Sequence, residues 1–301
     1  MRLISCPLCH QDDTILLDRR RQHGLWVATV GCRACGLVYH NPVIEDSDRR
    51  ELALSFRKLH TDAVYNSRQA AKQERRWHLQ WPLIKDHFTP GCRVLEVGCG
   101  LGIIAARLQA MGARVLGVEP DGEQAGYARS HYGLEVIEAR FEEVDFPPRQ
   151  FNLILASHVL EHFPAPLAFL VKTRTLAGPD TRLFLETPNI LAPKVSFRRL
   201  FSLAHNFYFC PDTLNLLLMK AGWRVERLKT WRRDSFQVLA RPDEPQNPVM
   251  DPGVSKRVLK AISRHRYLYY LKLLFIWRKL PWWQKYWMYT PARDWREDCG
   301  C

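Results

Sequence analysis

Between Arg93 and Gly102 the chain reads Arg-Val-Leu-Glu-Val-Gly-Cys-Gly-Leu-Gly, an apolar run that carries one acid and then breaks into alternating glycines. Bounded by Pro90-Gly91 on one side and a glycine loop on the other, such a run has the pattern of a buried strand. Ile103 to about Met111 follows as an apolar helix, and Arg114-Val115-Leu116-Gly117-Val118 reads as a second strand that ends at Glu119. Strand, glycine turn, helix and strand make a β-α-β unit of the nucleotide-binding kind, which commits the middle of the chain to an α/β sheet. The spacing is not the dinucleotide fingerprint, because G-x-G-x-x-G counted from Gly98 needs a glycine where Ile103 stands. A carboxylate at the first strand end is awkward for pyrophosphate and suits a cationic ligand. Glu119, at the end of the second strand, has oxygens placed to accept both hydroxyls of a ribose.

Further strands are expected at Leu134 to Ile137, Phe151 to Ala156 and Arg182 to Glu186. A helix from about Thr213 to Ala221, capped by Asp212, precedes Trp223 to Lys229 and Ser235 to Ala240, which read as a closing hairpin. The stretch Val94-Leu95-Glu96-Val97-Gly98-Cys99-Gly100-Leu101-Gly102, the acid at Glu119 and this order of strands resemble the class I S-adenosylmethionine-dependent methyltransferases. The resemblance covers residues 91–240 and implies a Rossmann-like α/β fold of seven strands with the last one antiparallel. It also implies S-adenosylmethionine as cofactor: Glu96 helps hold the methionine end, Gly98, Gly100 and Gly102 admit the cofactor backbone, and Glu119 binds the ribose. One departure stands out. Many relatives carry an acid after strand three that reads the adenine amino group, where this chain has Glu138-Ala139-Arg140-Phe141-Glu142.

Ahead of this core stand Cys6-Pro-Leu-Cys9 and Cys32-Arg-Ala-Cys35. Two C-x2-C turns let four thiolates close a tetrahedron around zinc, and all-cysteine ligation leaves no open position, so the metal is expected to be structural. Leu25 to Val30 and Leu37 to Tyr39 supply strands, as in a zinc ribbon. The chain then divides into a ribbon at 1–45, a helical linker at 46–90, the catalytic domain at 91–240 and a C-terminal basic, aromatic helical arm at 241–301. In the linker Trp77, Trp81, Ile84 and Phe88 recur at helical spacing and read as one core face. The other cysteines, Cys92, Cys99, Cys210, Cys299 and Cys301, show no ligand spacing.

Candidates for the chemistry follow strands four and five. Ser157-His158-Val159-Leu160-Glu161-His162-Phe163 resembles the family's motif after strand four, where strand ends face the ligand. His158 is expected to contact the cofactor or act as a base, and Glu161 and His162 to fix the turn. In the second segment His205 is a candidate proton acceptor and Tyr208 a candidate for orienting the acceptor substrate. The ribbon followed by this core resembles bacterial methyltransferases that modify sugars, polysaccharide ends and small metabolites. The implied reaction is O-methylation of a small-molecule or glycan hydroxyl. Sugar C-methyltransferases show a Glu-His pair where this chain has Ala204-His205.

The formal charge is +13 and the isoelectric point about 9.5, which raises RNA methylation as an alternative. The middle of the chain is close to neutral and lacks an N-P-P-Y-like motif after strand four, so nucleic acid is not the expected partner. No apolar run reaches the roughly 20 residues of a membrane-spanning helix, and Met1 to Gln11 lacks a signal-peptide stretch, which implies a cytoplasmic protein. The arm holds 11 of the 34 aromatic residues between Tyr267 and Trp295, mixed with Lys and Arg. Two readings of it stand: packing on the catalytic domain or a second copy of the chain in a homodimer, or peripheral contact with the inner face of an anionic membrane.

Overall fold

The computed structural model describes residues 1–44, 63–193, 195–231 and 235–279. The expectations for residue 45 at the end of the ribbon, residues 46–62 of the linker and 280–301 of the arm, Cys299 and Cys301 among them, lie outside the described residues. Strands β1 (Thr14–Gln22) and β2 (Leu25–Cys32) form an antiparallel hairpin, and β3 (Val38–His40) pairs with β2. Sequence pattern missed β1 because Asp18-Arg19-Arg20-Arg21 breaks any alternation. The turn makes the strand: His23 and Gly24 both take positive φ, at 47° and 84°, the two-residue geometry that matches the twist of a hairpin.

Helix α1 (Ala63–Ile84) leads into the central unit of β4 (Arg93–Val97), α2 (Ile103–Ala110), β5 (Arg114–Val118), α3 (Gly122–Tyr132) and β6 (Glu135–Ile137). Then come β7 (Phe151–Ser157), α4 (Pro166–Thr175), β8 (Ala177–Pro188), β9 (Phe207–Tyr208), α5 (Pro211–Lys220), β10 (Trp223–Trp231) and β11 (Ser235–Pro242). The seven-stranded sheet has the order β10-β11-β8-β7-β4-β5-β6, parallel from β6 to β8, with β11 antiparallel to β8. The order reverses at β4, so the crevice beyond its carboxyl end is where an open α/β sheet takes a ligand. Trp77 and Ile84 of α1 are buried against the β4 side of the core, and the Trp77 and Trp81 rings stack at 4.9 Å, as the helical spacing predicts. The cap of α5 differs from expectation: Cys210 precedes the first turn and its N–H donates to Thr213 Oγ1 at 3.0 Å, with Asp212 inside the turn.

The ribbon is not a separate body. Strand β9, from the segment after β8, adds to β3 in the register Val38↔Tyr208 and Tyr39↔Phe207, completing a second sheet β1-β2-β3-β9. The arm contributes α6 (Pro252–Lys279), whose Val254, Val258 and Ile262 are buried with Val38, Ile190, Phe201 and Tyr208. Its start therefore packs where the ribbon meets the catalytic domain, while Tyr267, Leu268, Tyr270 and Leu271 further along are exposed. No described helix is long and apolar enough to cross a membrane. Ser255 Oγ donates to Cys32 O at 3.1 Å, and Gly36 sits against the same turn of α6. Gly36 has φ +81°, and a Cβ there would lie 2.9 Å from Ser255 Cα. Gly36→Ala is expected to lower stability by about 1–3 kcal/mol through strain and displacement of α6. A urea midpoint equal to that of the parent protein would show that the contact does not hold the arm.

Candidate active site

Four buried acids line the carboxyl edge of the sheet: Glu96 on β4, Glu119 after β5, Glu161 after β7 and Glu186 on β8. Gly98, Gly100 and Gly102 take positive φ at 68°, 57° and 79°, a conformation that only glycine adopts readily. Their tasks differ. A Cβ at Gly102 would stand 2.8 Å from Ala128 Cβ, and one at Gly98 would stand 2.5 Å from Val159 Cγ2. Gly102 lets α2 close on α3, and Gly98 makes room for the loop after β7. Gly100 faces polar groups, the side chains of Gln73 and Gln124. Glu119 clamps the loop: Oε2 accepts from Gly100 N–H at 2.8 Å and Oε1 from Asp121 N–H at 3.0 Å.

Glu96 differs from the others. Burial pushes its pKa up to about 8; the nearby Glu119 charge adds to this, and a backbone bond from Ala105 and the Arg76 charge only partly offset it. Its Oε2 is buried without a hydrogen-bond partner. Helix α1 overlies this edge. Gln73 accepts from Ile103 N–H at 3.2 Å, and Arg76 is disfavoured by burial and supported by Glu186, Glu161 and Glu96. Sequence reading took only the apolar face of α1; Gln73, Arg76 and Gln80 also recur at helical spacing, which was the available signal.

Beyond β7, His158 lies between two carboxylates. Its Nε2 is 3.2 Å from Glu186 Oε1, its Nδ1 3.4 Å from Glu161 Oε1, and its N–H donates to Glu186 O at 2.7 Å. Burial opposes its protonation, but the two acids outweigh burial and raise its pKa above the ordinary histidine value. The ring thus ties the loop after β7 to β8 through both acids. His205 is the opposite case. Burial, with His162, His158 and His40 adding and Glu161 opposing, brings its pKa down to about 4, so it stays neutral. Its ring stands 4.7 Å from that of His162, whose Nδ1 donates to Ala204 O at 2.6 Å. Tyr208, expected to orient the acceptor, is buried on the ribbon side: its hydroxyl donates to Ser202 O at 3.2 Å and lies 3.2 Å from His40 Nε2. Its place in β9 fixes it there as part of the sheet.

A family model described as a methyltransferase domain matches residues 50–228. The chain belongs to the class I S-adenosylmethionine-dependent methyltransferases. Among curated relatives, the ubiquinone biosynthesis O-methyltransferase of Aeromonas salmonicida is 31% identical over 117 residues, covering 37% of this chain and 49% of that protein. The protein of the same name from Xanthomonas campestris pv. campestris is 33% identical over 109 residues, covering 33% and 44%. The match thus spans about half the length of these relatives or less. Of solved structures, Burkholderia thailandensis 1,6-didemethyltoxoflavin-N1-methyltransferase, with 1,6-didemethyltoxoflavin and S-adenosylhomocysteine bound, is similar with a TM-score of 0.55. It is 16% identical and covers 75% of this chain and all (100%) of that one, a likeness of fold.

This methyltransferase also brings its four ribbon cysteines together. Cys6 Sγ lies 3.5 Å from Cys35 Sγ and Cys9 Sγ 3.4 Å from Cys32 Sγ, with all four sulfurs within 4.8 Å of one another. Tetrahedral zinc–thiolate bonds place sulfurs about 3.8 Å apart, so the donor set and spacing fit one ion. Bonds from Cys35 and Cys6 hold the Cys32 thiol far below its usual range, while those same bonds and burial push Cys35 and Cys6 up.

A pairing of the Glu96 carboxylate with a cationic methyl donor predicts an affinity that depends on pH. Only its ionised form pairs with the ligand, so affinity should rise by up to about tenfold per pH unit below its pKa of about 8. Calorimetry with S-adenosylmethionine between pH 6 and 7.5 reads this, and Glu96→Gln should bind more weakly with the slope gone. A flat profile in the parent protein counts against the pairing.

Proposed function

We propose that this chain transfers the methyl group of S-adenosylmethionine to a hydroxyl of a small-molecule or glycan acceptor. The observation that carries the reading is Glu96, fully buried beside the glycine loop with one oxygen left unpartnered. Bound S-adenosylmethionine supplies a methyl carbon made electrophilic by a sulfonium. The chain has to hold that donor and an acceptor in line, and to take the acceptor's proton. Glu96 meets the ammonium of the methionine end, Gly100 allows close approach, and Glu119 accepts from the ribose hydroxyls with the lone pairs its two backbone bonds leave over. Arg76, with its five donors facing the acid-lined cleft, suits the methionine carboxylate. Neutral His205 offers a lone pair on the acceptor side.

O-methylation is favoured by the names of the ubiquinone O-methyltransferases and by Ala204, which leaves His205 without the adjacent acid of the sugar C-methyltransferases. The test is transfer of labelled methyl from S-adenosylmethionine into extracts of cells lacking the gene, with mass spectrometry identifying the species one methyl lighter in those cells. Glu119→Ala should weaken donor binding by about 2–4 kcal/mol through two lost charge-assisted hydrogen bonds. Unchanged calorimetric affinity would remove the ribose assignment, and label found only in RNA would move the function to nucleic acid.

The ribbon is proposed to hold one structural zinc on Cys6, Cys9, Cys32 and Cys35. Elemental analysis should find it, and Cys32→Ser should lose it. Because so small a module buries too little apolar area to fold unaided, zinc removal should unfold the ribbon first, seen as early hydrogen exchange in β1 to β3. Full metal content in Cys32→Ser would refute the ligand set.

A further inference from the structure

We propose that α6 docks the protein on the surface of an anionic lipid bilayer through one solvent-facing stripe of the helix. The other face is anchored. Val254, Val258 and Ile262, four residues apart, are buried with Val38, Ile190, Phe201 and Tyr208, and His265 Nε2 donates to Val195 O at 2.8 Å. Opposite them, Lys256, Lys260, Arg264, Tyr267 and Leu271 follow one another at steps of four, four, three and four residues. That spacing sets them in one line along an α-helix, and all five are exposed. Arg266, Leu268 and Tyr270, beside the line, are exposed as well. The stripe is cationic where the helix is anchored and turns aromatic and aliphatic further along. Tyr267, Leu268, Tyr270 and Leu271 form a cluster, where an ordinary surface shows such side chains singly.

Charge decides the occupant. Between Asp251 and Asp294 the sequence holds ten Lys and Arg and no acid. Arg257 is engaged by Asp212 and Asp251, off the line of the stripe. A second copy of the chain would bring an equally cationic helix against this one, so pairing of like stripes is repelled. A nucleic acid would use the cations and stack on the tyrosines, but it leaves Leu268 and Leu271 in water. An anionic bilayer meets both parts: its negative surface potential attracts Lys and Arg, and its headgroup layer takes Tyr rings and Leu side chains. The helix then lies on the bilayer, since no described helix is long and apolar enough to cross one. Because the anchored face is buried between the ribbon and the catalytic domain, docking through this stripe fixes how both stand on the lipid surface.

Sedimentation of the full chain with vesicles tests the docking. The protein should stay in the supernatant with phosphatidylcholine vesicles, pellet with vesicles of phosphatidylcholine and phosphatidylglycerol, and be released from these by added salt. Lys260→Glu combined with Arg264→Glu should weaken partitioning at least about tenfold, and Leu268→Ser combined with Leu271→Ser about tenfold. The urea midpoint and the affinity for S-adenosylhomocysteine should not change, because all four side chains are exposed. A supernatant protein with both vesicle types overturns the proposal, as does equal pelleting with both. Undiminished pelleting of the two variants places the contact elsewhere and overturns it too. Binding to an RNA oligonucleotide that the leucine variant keeps, without binding to anionic vesicles, makes the stripe a nucleic-acid surface instead.

Discussion

The carboxylate of Glu186 ties the sheet, the helix above it and the histidine cluster into one unit. Its Oε2 accepts from Gln80 of α1 at 2.8 Å and Gln237 of β11 at 3.1 Å, and its Oε1 meets His158 at 3.2 Å. Gln80 reaches Ser157 Oγ as well, at 2.8 Å, so the end of β7 is held from above. A buried charge bound by three partners from three elements fixes their relative placement more narrowly than apolar packing does, because a lost partner leaves desolvated charge at a cost of about 3–5 kcal/mol. α1 and β7 are fastened in this way on either side of the glycine loop, which Glu119 clamps.

The four acids at the sheet edge then separate into two kinds. Glu161 and Glu186 have lowered pKa values because, against the cost of burial, they share the imidazole of His158. Glu96 and Glu119 have raised values because burial acts on them with no such cation in contact. The first pair carries its counter-charge within the protein. The second pair, on β4 and after β5, lacks one in contact. The two halves of the edge thus differ electrostatically without any difference in residue type.

What the sequence made legible follows from the range of the physics involved. The β-α-β unit, its glycines and the two strand-end acids were readable because they depend on neighbours a few residues apart. So was the cysteine set, since each C-x2-C turn is local and only the meeting of the two turns is not. The packing of Gly102 was not readable: its approach to Ala128 of the next helix and to Leu134, just before β6, cannot be counted along the chain. The same limit applies to His158, whose partner Glu186 lies a strand away, and to Tyr208, whose hydroxyl is claimed by a ribbon residue, His40. Strand β9, only Phe207–Tyr208, is too short for any periodicity and exists because β3 offers an open edge.

That short strand joins the two ends of the molecule. The segment 202–208 carries His205 and is anchored from two sides: the loop after β7, through Asn206 N–H to Glu161 O at 2.8 Å and His162 Nδ1 to Ala204 O at 2.6 Å, and the ribbon. His40 N–H donates to Asn206 O at 2.8 Å, His40 Nε2 meets Ser202 O at 3.0 Å, and Ile44 exchanges bonds with the Asn206 side chain. His40 is itself fixed by Thr29 of β2 at 3.0 Å. β2 ends at Cys32, inside the four-sulfur cluster, and β3 begins just after Cys35. A chain of strands therefore runs from the cysteines to His205, with no long flexible linker in it. The segment is ordered jointly by the ribbon and by the loop after β7, and the ribbon's Leu8, Leu37 and Tyr39 are buried in the same core. The cysteines are therefore tied through β2, β3 and β9 to the segment that sets the His205 ring beside His162.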